Sequence, residues 1–287
     1  ISIPDVRVRP PVAAIEQAVE LLRSARSPAI LGGSRVTERR ANYALVELAE
    51  TLGAPVITES GTTHGRLAFP SDHPLYGQGL PPWAPEIHDR LKEFDVIFVT
   101  GMDLFRLYIH YEPELAIPRH IQLIHLDESP REIGKNFPVE VGLIGDTLEG
   151  IQAITSGLRA RMTDRERALV EQKTIAWSAR HADAREKLKE QIESEREQMP
   201  LTPLCFMEAI GRVLPHNVAV VEEAVTTTNT TLERLGYLKD PTGYFGHRGW
   251  GLGWGLGVTL GVQMAWPDRN VVGVLGEGAI MYGVQGL

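Results

Sequence analysis

An apolar run, Val271-Val272-Gly273-Val274-Leu275, leads into Gly276-Glu277-Gly278-Ala279, so a strand delivers one carboxylate, held between two glycines, to its carboxyl end. Open α/β sheets bind their ligands at that end of the strands. Flanking glycines permit tight turning and close approach of a phosphate. A helix beginning there would aim free N–H groups and the positive end of its dipole at an anion. The carboxylate suits Mg²⁺, which takes one or two carboxylates and fills its shell with phosphate oxygens and water. A tight turn without chemistry is the competing reading of the same residues.

Two further segments carry the residue types such a site needs. Glu222-Glu223-Ala224-Val225-Thr226-Thr227-Thr228-Asn229 follows a short apolar strand at 218–221 and opens a helix. A row of hydroxyls at a helix start serves capping and anion binding equally well. Phe245-Gly246-His247-Arg248-Gly249-Trp250-Gly251-Leu252-Gly253-Trp254-Gly255-Leu256-Gly257 places glycines at alternating positions before an apolar helix. That spacing lets a backbone pass close to a flat ligand or to another helix.

The elements around these segments follow an α/β rhythm. Over the first 160 residues, apolar runs at 29–31, 56–58, 96–100, 121–126 and 139–144 read as buried strands. Helical periodicity fills the spaces at 12–22, 41–52, 85–94 and 148–158. Strands alternating with helices predict a doubly wound parallel sheet covered on both faces. Residues 162–199 are strongly charged and hold no Gly or Pro, which predicts a helical connector, with a protein-binding helix as the alternative; Pro200 and Pro203 end it. The rhythm then restarts with a helix at 204–213, the strand at 218–221, a helix at 226–235, the Gly-rich apolar stretch at 252–264 and the strand at 271–275. We therefore expect an α/β protein with a central domain at 1–161, a connector at 162–200 and the first part of a second α/β domain at 201–287. That second domain is expected to be incomplete, the chain being a piece of a longer polypeptide.

Composition narrows the classes. The 287 residues carry a formal charge of −8, which argues against a nucleic-acid surface, since neutralising phosphates takes clustered Lys and Arg. The single cysteine, Cys205, cannot form an internal disulfide or a thiolate cluster. No signal peptide opens the sequence, and the apolar stretch at 249–266 is too short and too Gly-rich for a membrane span. The expectation is a cytoplasmic protein with neither nucleic acid nor membrane as partner.

Taken together, the three segments resemble the cofactor domain of thiamine diphosphate enzymes in the pyruvate decarboxylase and acetolactate synthase superfamily, nearest to its benzoylformate decarboxylase branch. Gly261-Val262-Gln263-Met264-Ala265, Pro267, Arg269 and the strand to Gly276-Glu277-Gly278 carry the likeness. In the first domain Gly65-Arg66-Leu67-Ala68-Phe69-Pro70, His73-Pro74, Asp95 to Gly101, Phe105-Arg106 and Tyr111-Glu112-Pro113 resemble the family's central domain in the same order.

The resemblance implies roles residue by residue. Glu277 would take the place of the family's metal-binding aspartate, and Gly276, Gly278 and the Ala279 backbone would face the diphosphate. Thr226, with Thr227 or Thr228, would contact diphosphate oxygens. Gly251 would meet the aminopyrimidine, and Leu252 would wedge the cofactor into its bent form. His110 resembles a central-domain histidine used for proton transfer, a role suited to imidazole; a surface or hydrogen-bonded histidine is the alternative. The implied cofactors are thiamine diphosphate and Mg²⁺, and the implied substrate is a small 2-oxo acid that loses CO₂. An acetolactate synthase-like carboligase and a degenerate cofactor-binding homologue without catalysis are the alternatives.

Three departures accompany the likeness. Glu277 carries one methylene more than the family's aspartate. The family's second metal ligand, an Asn, would lie beyond Leu287, and the glutamate that acts on the aminopyrimidine would lie before Ile1, in a domain that a neighbouring subunit contributes. The resemblance therefore implies a homo-oligomer, dimer or tetramer, with the fragment alone inactive. A nucleotide on the first domain is a further reading, for which Ile30-Leu31-Gly32-Gly33-Ser34 supplies a Gly-rich turn but no full dinucleotide fingerprint.

Overall fold

The computed structural model describes residues 5, 7–59, 65–105, 115–224, 230–246 and 251–287. The chain is α/β throughout. Its first sheet has six strands in the order β3-β2-β1-β4-β5-β6, formed by β1 Pro28–Gly32, β2 Val56–Thr58, β3 Tyr76–Gly79, β4 Val96–Thr100, β5 Gln122–Asp127 and β6 Val141–Ile144. All five pairings are parallel. Every residue of β1 and β4 is buried, as expected for inner strands of a sheet covered on both faces.

Alternation along the strands divides the core. Ile30, Val56, Phe98, Ile124 and Leu126 face α1 (Val12–Ser24), α3 (Asn42–Leu52) and α5 (Thr147–Arg161), meeting Val19, Leu45, Leu48 and Ile154. Ala29, Leu31, Ile97, Val99 and Leu123 face the other way, onto Ile87 and Leu91 of α4 (Ala84–Leu91). The sequence marks the helix ends as well. Gly53, at φ 60°, closes α3 in the left-handed conformation, and Asp146 caps α5 by accepting from the Leu148 and Glu149 amides.

The charged connector forms one long helix, α6 (Asp164–Glu195), started by a capping box between Thr163 and Glu166. Only His181, Leu188 and Ile192 are buried along it. Leu188 and Ile192 meet Cys205 of α7 (Pro203–Val213), so the lone thiol is a packing residue. No described helix is long and apolar enough to cross a membrane.

The second sheet is parallel, in the order β8-β7-β9, with β7 Ala219–Glu223, β8 Tyr244–Phe245 and β9 Val271–Leu275. Helix α8 (Thr231–Arg234) lies between β7 and β8, α9 (Trp254–Ala265) between β8 and β9, and α10 (Glu277–Gly283) follows β9. The helix expected at 226–235 is realised over Thr231–Arg234, residues 225–229 lying outside the described set.

The Gly65–Ser71 stretch straps the two sheets together. Arg66 donates to the Tyr244 and Thr242 carbonyls at 2.8 and 2.7 Å and stacks its guanidinium 4.1 Å over the Phe245 ring. Leu67 packs in the core of the second sheet, and the amide and hydroxyl of Ser71 both donate to the Leu238 carbonyl. Tyr76, on the edge strand of the first sheet, donates at 2.7 Å to the fully buried Glu233 carboxylate of α8.

His181 of α6 sits beside this junction, its ring edge-on to Tyr76 with centroids 6.1 Å apart. Burial, reinforced by the charges of Arg185 and His73 against the opposing pull of Asp72, pushes its pKa down to about 4. The unfolded chain therefore binds a proton that the native state refuses between pH 6.5 and 4, so stability falls as pH falls through that window. Between pH 7 and 4.5 the native protein should lose about 2 kcal/mol more stability than His181→Leu, measured as urea unfolding free energies at the two pH values. Parallel losses in the two proteins would refute the assignment.

Candidate functional site

The second sheet reverses its strand order at β7. From β7 the chain moves to β8 on one side, and from β8 it crosses back to β9 on the other. Such a reversal opens a crevice at the carboxyl ends of the two diverging strands, here Glu223 of β7 and Leu275 of β9, which lie in register. Described parts of the three segments singled out above meet here: Glu223, the loop from Gly251 and the turn at Gly276.

Gly276 leaves β9 and its amide donates to the Glu223 carbonyl at 3.0 Å. It is the N-cap of α10, with Glu277 the first helical residue. Glu277 and Gly278 are exposed, while the Ala279 side chain is buried. A Cβ added at Gly278 or at Gly251 would meet nothing within 4 Å, so the backbone faces open space at both places. Leu252 is 58% exposed beside them.

The Gly-rich loop is held from two sides. Glu223, 5% exposed, accepts from the Gly253 amide through Oε1 at 2.6 Å and from the Gly255 amide through Oε2 at 2.7 Å. Gly253 has φ 93° and lies against Tyr282, where a Cβ would come within 2.6 Å of the Tyr282 Cβ; glycine is required there on both counts. The next residue back along β7, Glu222, is buried against the Tyr244 hydroxyl, and burial holds that phenol well above its ordinary pKa.

Of the residues the sequence nominated, Gly251, Leu252, Gly276, Glu277, Gly278 and Ala279 therefore lie around one crevice. Thr226, Thr227, Thr228 and His110 lie outside the described residues. The threonine segment enters and leaves through Ala224, next to Glu223, and Thr230, next to α8. In the sequence Glu223 is only one of two adjacent glutamates that lead into the threonine segment. Its carboxylate reaches amides 30 and 32 residues away, a contact no local pattern reports.

Among the described residues the crevice offers backbone donors at the start of α10, one outward carboxylate and an apolar side chain over an open loop. Among the described residues no three His, Cys, Asp or Glu side chains form a ready-made metal cage. A cation at Glu277 would therefore draw on phosphate oxygens and water, the manner in which Mg²⁺ is usually held.

The corresponding crevice of the first sheet, between β1 and β4, is occupied by protein. A Cβ at Gly33 would fall 2.3 Å from the Met102 Cβ and 2.5 Å from the Gly101 carbonyl, so close packing accounts for the Gly-rich turn. Arg35, just beyond it in α2 (Ser34–Glu38), bridges Asp103 and Asp127 at 2.7 and 2.5 Å.

Residues 15–154 match the family model of the thiamine pyrophosphate enzyme central domain, and residues 224–287 match that of the C-terminal TPP binding domain. The chain is 27% identical over 278 residues to a benzoylformate decarboxylase of Pseudomonas aeruginosa, covering 97% of this chain and 48% of the relative. It is 26% identical over 285 residues to a probable acetolactate synthase large subunit of Methanocaldococcus jannaschii, covering 95% and 45%. A solved 4-hydroxybenzoylformate decarboxylase of Rhodococcus jostii superposes with a TM-score of 0.77 at 23% identity, covering 100% of this chain and 49% of that one, which is a likeness of fold. The chain spans about half the length of the curated relatives it matches.

Proposed function

We propose, from the premise that this chain belongs to the thiamine pyrophosphate enzyme superfamily, that it carries the diphosphate half of a thiamine diphosphate and Mg²⁺ site serving decarboxylation of a 2-oxo acid. The observation that carries the proposal is the convergence of Gly251-Leu252, Gly276 and Glu277-Gly278 on the β7/β9 crevice, tied together through Glu223. The residues fit the group. Open backbone at Gly251 and Gly278 leaves room for a cofactor, and the donors at the start of α10 suit a diphosphate.

Bound there, thiamine diphosphate supplies a carbanion nucleophile and an electron sink for the carbon that loses CO₂. The chain's own part is placement. Glu277 would offer its carboxylate to Mg²⁺, the Gly276 to Ala279 backbone and the hydroxyls of Thr226, Thr227 and Thr228 would hold the diphosphate, and Leu252 would support the ring system. His110 moves a proton at the substrate carbon. Residues 1–161 act as the central domain, 162–200 as connector and 201–287 as part of the cofactor domain, within a cytoplasmic homodimer or homotetramer whose neighbouring subunit completes the site. The half-length chain alone does not turn over.

Calorimetric titration of the full-length protein tests the reading. Thiamine diphosphate should bind in the presence of Mg²⁺ and fail to bind once the metal is chelated; no binding under either condition would overturn the proposal. Product analysis with benzoylformate and with pyruvate then assigns the reaction. Free aldehyde with CO₂ is the expected result, and a coupled hydroxyketone as main product would move the protein to the carboligases.

A further inference from the structure

We infer that Glu223 is a positioning residue that fixes the loop carrying Gly251 and Leu252 against the end of β9, and thereby sets affinity for the ring end of the cofactor independently of its diphosphate end. The inference rests on the proposed function and adds a role to a residue that faces neither metal nor diphosphate in it.

The geometry assigns Glu223 two separate duties. Its carbonyl accepts the Gly276 amide at 3.0 Å, which anchors the turn before Glu277 through backbone alone. Its carboxylate accepts the Gly253 and Gly255 amides, one on each oxygen, at 2.6 and 2.7 Å. The first duty belongs to the diphosphate side and survives any side-chain replacement. The second belongs to the ring side and depends on two acceptor atoms.

Local chemistry explains why a carboxylate is used. Gly253 is the N-cap of α9 and has no side chain to cap with, so the free amides of the first turn need an acceptor from elsewhere. An anion at that position also meets the positive end of the α9 dipole. The approach is close enough to require glycine opposite it. A Cβ at Gly255 would stand 2.7 Å from Glu223 Oε2 and 2.6 Å from Leu275 Cδ2. Leu252 sits one residue before the first of these bonds, so its direction follows the Gly253 amide.

The test compares two ligands on the full-length protein: thiamine diphosphate with Mg²⁺, and inorganic pyrophosphate with Mg²⁺. Glu223→Gln keeps the shape but has one acceptor oxygen and turns an NH₂ toward the second amide. Glu223→Asp keeps the charge and falls a methylene short of spanning both amides. Each variant should bind thiamine diphosphate about tenfold or more weakly while pyrophosphate affinity stays within about twofold of the native value. Pyrophosphate binding doubles as the check that the sheet edge is folded, and if the Gln variant fails that check the Asp variant decides. Equal loss for both ligands, or loss for neither, would overturn the positioning role. Failure of the native protein to bind thiamine diphosphate at all would instead overturn the proposed function, and this role with it.

Discussion

Glu277→Ala in the full-length protein is expected to weaken Mg²⁺-dependent thiamine diphosphate binding by about two orders of magnitude, with no comparable loss of stability. The contrast follows from where the residue sits. Glu277 is exposed at the first position of α10, and among the described residues no hydrogen bond or ion pair engages its carboxylate. Removing it costs the fold a helix-dipole interaction of about 0.3–1 kcal/mol and leaves no cavity. Removing it takes away the exposed carboxylate that the proposal gives to Mg²⁺, and among the described residues no group of three His, Cys, Asp or Glu side chains could hold the metal instead. Glu277→Asp separates metal binding from mere charge. Mg²⁺ demands near-octahedral geometry at about 2.0–2.1 Å, so shifting the carboxylate by one methylene should change metal affinity measurably in one direction or the other. Binding in Glu277→Ala that matches the native protein would dismiss the metal role outright.

How much of this could be read before the fold was known depended on how locally each feature is encoded. The strands Val56–Thr58, Val96–Thr100 and Val271–Leu275 fall where their continuous apolar runs place them, because a strand buried on both faces writes its burial into adjacent residues. The long helix Asp164–Glu195 was equally plain in its composition. Strand Tyr76–Gly79 was not legible. Its sequence, Tyr-Gly-Gln-Gly, holds two glycines and a Gln at φ 66°, so propensity points away from a strand that tertiary pairing with Val56–Thr58 nevertheless makes. The two-residue strand Tyr244–Phe245 and the five-residue helix Ser34–Glu38 are too short to show a period. Within the site the glycines and Glu277 were visible as a motif, whereas the bonds that assemble them were not. Arg66 was noticed as part of a run of residues, but its grip on Thr242 and Tyr244 joins positions more than 170 apart in the chain.

Arg35→Met should destabilise the native state by about 3–5 kcal/mol, the cost of stranding a buried charge. The guanidinium holds Asp103 and Asp127 at once, and the Asp127 side chain is 1% exposed. Asp127 also accepts the Ser129 amide at 2.8 Å, so its carboxylate is committed to the turn after β5 and cannot swing out to water when the cation goes. The two carboxylates hold the Arg35 pKa above its ordinary value against the desolvation that would lower it, so the guanidinium keeps its charge at every pH where the fold survives. The double variant Arg35→Met with Asp127→Asn neutralises the less exposed of the two carboxylates but leaves Asp103 charged and without its cation, so it should recover part of the loss and not all of it. Urea unfolding of the single and double variants gives the coupling directly; additive losses would mean that Arg35 stabilises the crevice through packing alone. The same pair bears on ligand binding in the first sheet. A nucleotide entering between β1 and β4 would have to prise Arg35 from Asp103 or Asp127, giving up one of the least exposed ion pairs described in the molecule. The two crevices of this chain thus differ in kind: the first is filled by its own side chains, and at the second a buried carboxylate binds the backbone of the loop beside it.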